Sequence, residues 1–246
     1  MQSYKVHAII KFQMKLNIYI FKMNKTKTAI LFTGKINLLA LDVLIEQTKN
    51  IENKFASIWG NEKQEYIVKL SNNNFKIIYN DINQQKIYRP QFITVFNGLN
   101  YLKENGYEYV LRTRIDIVSL DYSKYLNLVC ELYPEKITVI AGIETSTTYF
   151  LDIIVSGKIN EMCNFCALQP INDDRYYEKF LIENYSNKIN LTKDEIINIF
   201  NFSLNDCIAN NIEFMWYRPI SWKSYAITYP DMRVIKEYCN SSIIWV

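Results

Sequence analysis

Arg112-Thr-Arg-Ile-Asp116 places two guanidinium groups and a carboxylate directly behind an apolar run, Tyr107-Glu-Tyr-Val-Leu111. If a strand continues through them, Arg112, Arg114 and Asp116 project to one side. Arginine forks bind phosphate oxygens in pairs, and a carboxylate such as Asp116 can hold a divalent cation that bridges a diphosphate. Breaking a sugar–diphosphate bond builds negative charge on the leaving group, which a Lewis-acid cation and guanidinium groups stabilise. The competing reading is a structural salt-bridge cluster, because charges at the end of a central strand need partners where they are buried.

Other residues fit such a site, each with a plainer alternative. Thr33 and Gly34 end the run Thr28-Ala-Ile-Leu-Phe-Thr33, and glycine there leaves room for a nucleotide or simply makes a turn. Asp81 follows the run Phe75–Tyr79 and is placed to meet a base or ribose, or to start a turn. An inverting transfer needs a carboxylate to accept the proton of the attacking hydroxyl, and Asp152, Asp173, Asp174 and Glu178 are the candidates. An acid that opens a turn or pairs with a lysine is the alternative for each. Trp216, Tyr217, Trp222, Lys223, Tyr225 and Tyr229 form an aromatic stretch suited to an acceptor sugar or to core packing. Cys163-Asn-Phe-Cys166 has the loop spacing of one half of a zinc knuckle, with no second pair and with the only histidine, His7, far away in sequence.

The elements that must position these groups follow from periodicity. Thr28–Thr33, Phe55–Trp59, Phe75–Tyr79, Tyr107–Leu111, Ile137–Ala141 and Thr148–Val155 read as strands, the last with Gly157 as its turn. Ile36–Asn50, Pro90–Asn105, Arg175–Tyr185 and Thr192–Ile208 read as helices. Pro90 and Gly106 suit the start and end of the second, and Thr192-Lys-Asp-Glu195 is a capping box for the fourth. Tyr217–Tyr229 reads as a loop or edge strand. Alternating strands and helices imply an α/β fold with a mostly parallel central sheet flanked by helices, whose ligands bind at the carboxyl ends of the strands.

The 246 residues suit one domain, expected over 28–246, with 1–27 as a basic and apolar extension that is dispensable. That extension also reads as a surface-associated helix or as a strand. A formal net charge of +3 with mixed signs makes nucleic acid an unexpected partner. Five scattered cysteines suit a reducing compartment, and Lys11, Lys15 and Lys22 interrupt the one candidate for a membrane span or signal peptide. A cytoplasmic location is therefore expected.

Taken together, Ala29-Ile-Leu-Phe-Thr-Gly34, Ala56-Ser-Ile-Trp59, Asn80-Asp81, Arg89-Pro-Gln91, Thr94–Leu99 and Tyr109-Val-Leu-Arg-Thr-Arg-Ile-Asp116 resemble WavE-type lipopolysaccharide-synthesis proteins. The resemblance extends through Asp152–Gly157, Glu178–Leu181 and Lys223–Tyr225, and so covers most of the chain after about Thr28. It implies a GT-A-like, Rossmann-like glycosyltransferase domain that takes a nucleotide-sugar donor in cell-surface polysaccharide or lipopolysaccharide assembly. On that resemblance Asp116 is the metal ligand for Mn²⁺ or Mg²⁺, Arg112 and Arg114 contact the donor diphosphate, and Arg89 and Gln91 match a donor-binding pair that Pro90 here separates. Asp152, within the family-like stretch, becomes the expected base. The acceptor is then a saccharide or lipid-linked saccharide, and a lipid link would bring peripheral contact with the inner membrane face. Many GT-A enzymes carry two aspartates one residue apart, whereas no acid follows Asp116 here until Asp121. Two alternatives remain open on that account: an inactive sugar- or nucleotide-binding module, and a nucleotidyltransferase, for which Thr33-Gly-Lys-Ile36 is a sparse phosphate loop.

Overall fold

The computed structural model describes residues 27–36, 38–116, 122, 137–140, 151–175, 177–189, 214–217 and 226–229. The extension 1–26 and the expected helix Thr192–Ile208 lie outside them.

Strand β1 (Thr28–Thr33), helix α1 (Leu38–Gln47), β2 (Lys54–Trp59), α2 (Gln64–Asn72) and β3 (Lys76–Asn80) follow in turn. A 3-10 turn (Ile82–Lys86) and α3 (Pro90–Glu104) then lead to β4 (Tyr109–Arg114). β1 pairs in parallel with β2 and β4, and β2 with β3. β5 (Thr138–Ile140) and β6 (Leu151–Lys158) complete a six-stranded sheet of order β3-β2-β1-β4-β6-β5. Only β6 is antiparallel to its neighbours, so five strands share one direction. α4 (Ile159–Phe165) and α5 (Tyr177–Ile189) follow, and β7 (Phe214–Tyr217) pairs antiparallel with β8 (Ala226–Tyr229) in a separate two-stranded sheet. The chain thus has a Rossmann-like α/β fold, in which β3-β2-β1 has the order of one nucleotide-binding half and β4 lies beyond the point where the strand order reverses.

Continuous apolar runs make the central strands. All of β2 is buried, as is β1 beyond Thr28, because helices cover both faces. Ile30 and Phe32 join Leu41, Leu44, Ile67 and Leu70 of α1 and α2 in one core, while Ala29 and Leu31 join Phe92, Val95, Leu99 and Leu102 of α3 in the other. Strand alternation produces that division. α3 begins with Pro90 in its first turn and closes before Gly106, whose φ of 77° is left-handed. It also approaches the sheet closely: a Cβ on Gly98 would sit 2.9 Å from the Leu31 methyls and 3.1 Å from Ser57 Cβ.

Three differences from the sequence expectation have physical causes. α2 was not anticipated, because among its residues only Ile67 and Leu70 are buried and its apolar stripe is thin. α4 was missed because it spans only seven residues. Gly157 is not a turn but a strand residue opposite Val110, where β6 continues to Lys158 before α4 begins. The Tyr217–Tyr229 stretch is bounded by the paired strands β7 and β8, and the side chains of its aromatics lie outside the described residues.

Candidate nucleotide site at the carboxyl edge

In a sheet of this order the connections leave β1 and β4 in opposite directions, which opens a crevice beyond their carboxyl ends. Thr33 and Arg114 are register partners at that point, and Gly34 follows with a φ of 109°. This conformation suits glycine, and among the described residues no atom beyond its chain neighbours lies within 4 Å of where its Cβ would be. Among the described residues, the space beside the missing Gly34 Cβ is therefore open.

Arg112 and Arg114 lie on the same face of β4 as Val110, toward α3. Arg112 is 2% exposed, and its Nε donates to Thr33 Oγ1 at 3.1 Å. Thr33 Oγ1 in turn donates to the Thr113 carbonyl at 3.2 Å, tying the two strands at their ends. The strand stops at Arg114, and Ile115 N donates to the Thr33 carbonyl at 3.0 Å. The chain then turns, which brings Asp116 back onto Arg114: Nε meets Oδ1 at 2.9 Å and Nη2 meets Oδ2 at 2.8 Å. Arg114 is the more accessible partner, with 27% of its side chain exposed against 7% for Asp116.

That pairing bears on the metal expected at Asp116. Both carboxylate oxygens face a guanidinium, and among the described residues no group of three or more His, Cys, Asp or Glu could hold an ion. The donor set described does not fit a divalent cation.

The remaining candidates are distributed around the same edge. β6 runs antiparallel to β4 with Ile154 opposite Thr113, so the Asp152 backbone lies near the end of β4; its side chain is outside the described residues, as is that of Glu178. Asp81 caps the 3-10 turn, its Oδ1 accepting from Asn83 N at 2.9 Å and from Asn83 Nδ2 at 3.0 Å. Arg89 and Gln91 are not brought to one contact. Arg89 Nη2 donates to the Asp173 carbonyl, whereas Gln91 is exposed in the first turn of α3.

Asp173 is held by Arg175 through both carboxylate oxygens, and Arg175 Nη1 continues to Glu183 at 2.8 Å. Hydrogen bonding to Arg175 keeps the Asp173 carboxyl well below the usual carboxylate range, which removes it as a proton acceptor near neutral pH. Asp174 beside it is exposed. The loop that carries both is fastened to the start of α3: Arg89 N donates to the Gln169 carbonyl at 2.9 Å and Ile171 N to the Ile87 carbonyl at 2.9 Å. At the end of β2, Glu62 Oε1 accepts from Ile36 N at 3.1 Å and braces the loop after Gly34. Burial raises the Glu62 carboxyl, opposed by that bond and by Lys35.

Sequence reasoning missed a chain of amides at the end of β3. Buried Asn80 Nδ2 donates to the Ile58 carbonyl at 2.8 Å and to Ser57 Oγ at 3.0 Å. Asn97 Nδ2, from α3, donates to Asn80 Oδ1 at 2.9 Å and to Gln84 Oε1 at 3.1 Å. The only signal in the sequence was Asn97 beside the apolar stripe of an otherwise well-patterned helix. Cys163 and Cys166 are not joined in a disulfide, and burial raises the Cys163 thiol.

The fold and the edge define an α/β chain with a Rossmann-like sheet and a polar, arginine-bearing switch point. No family model matches the chain, so the WavE-type resemblance rests on the residues that carry it, and no curated protein matches either. Among solved structures, the chain is similar to one described as a glucose-1-phosphate thymidylyltransferase from Bacillus anthracis in complex with a sucrose. Identity is 11% and the TM-score 0.48, over 78% of this chain and 89% of that one. Among the described residues no helix is long and apolar enough to cross a membrane.

Proposed function

We propose that this chain is an enzyme acting on a nucleotide sugar, with the diphosphate over Gly34 and Arg114 at the ends of β1 and β4. The observation that carries the reading is the meeting, among the described residues, of open space beside a positive-φ glycine with an arginine pair at the switch point. Arg114 is the group placed to reach phosphate oxygens, while buried Arg112 keeps Thr33 and the strand ends in position. In sugar transfer, Arg114 would stabilise the diphosphate as the sugar–phosphate bond breaks, and Asp152 would accept the proton of an acceptor hydroxyl. A saccharide or lipid-linked acceptor in cell-surface glycan assembly follows from the resemblance to WavE-type proteins, as does a cytoplasmic enzyme that meets the inner membrane face. The same resemblance implies Mn²⁺ or Mg²⁺, which would require ligands beyond those the described residues assemble.

Nucleotidyl transfer is the second reading, since it uses the same edge of the same kind of sheet. β1 ends at Thr33 and α1 begins by Leu38, with a single glycine between them, which gives little backbone to wrap a triphosphate. Product analysis separates the two: sugar transfer releases nucleoside diphosphate, or CMP from a CMP-linked sugar, and nucleotidyl transfer releases pyrophosphate.

The test is nucleotide binding by calorimetry, with UDP-, GDP-, CMP- and dTDP-linked sugars, with and without Mn²⁺. Arg114→Ala is expected to weaken the preferred donor roughly 10- to 100-fold, the range for losing one hydrogen bond to a charged group. If no nucleotide sugar binds the unsubstituted chain, or if Arg114→Ala binds equally well, the arginine cluster is structural and the reading falls, leaving a role without nucleotide.

A further inference from the structure

The amide chain at the end of β3 has a direction, and that direction predicts which nucleotide bases fit. A backbone carbonyl can only accept, so the Asn80 atom 2.8 Å from the Ile58 carbonyl must be the amide nitrogen. Asn80 then offers its oxygen to Asn97, whose facing atom must be nitrogen. The second hydrogen of that nitrogen points to Gln84, whose facing atom must be oxygen. Three amide orientations are thus fixed by one carbonyl, with no freedom to flip. Each hydrogen of the Asn80 and Asn97 nitrogens is used within the chain.

Two groups are left over, Asn97 Oδ1 and Gln84 Nε2. Neither has a hydrogen-bond partner among the described residues, and neither is among the buried side-chain atoms left unsatisfied. Both residues are half-buried and sit at the carboxyl end of β3. The result is an acceptor and a donor held near one another on a fixed support, the arrangement that makes hydrogen-bond readout selective.

We propose that Asn97 and Gln84 select the base of the nucleotide by reading an N–H that adjoins a C=O, as in uracil, thymine and guanine. The ring N–H donates to Asn97 Oδ1, and the neighbouring carbonyl accepts from Gln84 Nε2. In that register cytosine and adenine set a ring-nitrogen acceptor against Asn97 Oδ1 and an amino donor against Gln84 Nε2; their amino N–H and ring nitrogen match the pair only if the base slides by one ring position, which a diphosphate held at β1 and β4 opposes. The spacing supports the assignment. From β4 to β3 is three strand spacings, about 14 Å, a span that an extended nucleoside diphosphate covers from phosphate to base. Asp81, the residue the sequence suggested for the base, has one carboxylate oxygen, Oδ1, engaged by Asn83.

The inference rests on the proposed nucleotide site, and one experiment separates the two. UDP, dTDP, GDP, CDP and ADP are titrated by calorimetry into the full chain and into Gln84→Glu, with thermal melts to verify folding. UDP, dTDP or GDP is expected to bind at least about tenfold more tightly than CDP and ADP. Gln84→Glu keeps an oxygen for Asn97 but replaces the outward donor with an acceptor, and should shrink that preference at least several-fold without lowering the melting temperature. Equal binding of all five diphosphates, or an unchanged preference in Gln84→Glu, overturns the base assignment and leaves the nucleotide site standing. If no diphosphate binds, the nucleotide site itself fails and the base assignment with it.

Discussion

Arg175 determines the protonation state of Asp173, and through it the anchoring of the loop beside α3. The Asp173 carboxyl accepts from the Arg175 guanidinium and also from Arg175 N at 3.1 Å, while the Asp173 carbonyl accepts from Arg89. Its folded-state ionisation lies below the ordinary 3.8 of an aspartate, so the charged form is favoured by folding. A depressed carboxyl contributes stability that is complete above the unfolded value and fades as pH falls below it. The loop should therefore resist proteolysis unchanged from pH 7 to about 4, and pepsin should begin to cut between Cys166 and Tyr177 only in more acid solution. Asp173→Asn should make the same segment susceptible to thermolysin at neutral pH. Cleavage that sets in evenly across the chain would show that Asp173 has no special hold on the loop.

At the scale of elements, two glycines make opposite demands. Gly34 has a left-handed φ and, among the described residues, open space around its missing Cβ, so Gly34→Ala would be penalised through its backbone, by about 1–3 kcal/mol. Gly98 is helical, and Gly98→Ala would gain helix propensity but drive a methyl into Leu31 and Ser57. Both neighbours are buried, so we expect a net loss of about 1–3 kcal/mol from overpacking. Urea unfolding of both variants tests this, and a stabilised Gly98→Ala would mean that α3 can lift off the sheet cheaply. The same contrast explains what could be read in advance. β1, β2, β3, α1 and α3 were legible because their apolar spacing answers to a core on a known face. α2 and α4 were not, one lacking a wide apolar stripe and the other lacking length. At the site, Arg112, Arg114 and Asp116 announced themselves as charges behind an apolar strand. Their pairing did not, because it depends on β4 ending at Arg114 and the chain turning back. Asn97 and Gln84 join only through β2 and β3 packing beneath α3, a contact between residues distant in sequence and neutral in charge.

At the scale of the whole molecule, the two cores share a single layer of strands. Ile30 and Phe32 face one core and Ala29 and Leu31 the other, and Phe32 meets the rings of Phe75 and Tyr122 at centroid distances of 5.7 and 5.4 Å. β1 lies between β2 and β4, so neither helical layer can lose its support without exposing the strand that carries Thr33. Leu31→Ala and Phe32→Ala open cavities on opposite faces, at a cost of about 2–5 and 3–5 kcal/mol respectively. If the sheet couples the layers, each variant should melt in one transition, with far-ultraviolet and near-ultraviolet circular dichroism coinciding. Nucleotide binding should disappear in that same transition, since Thr33 and Arg112 are joined across β1 and β4. A Leu31→Ala chain that loses its near-ultraviolet signal early and retains the rest would show instead that the α3 layer is separable. The carboxyl edge would then be assembled on a layer that can loosen independently, and the affinity of the site would follow the docking of α3 rather than global stability.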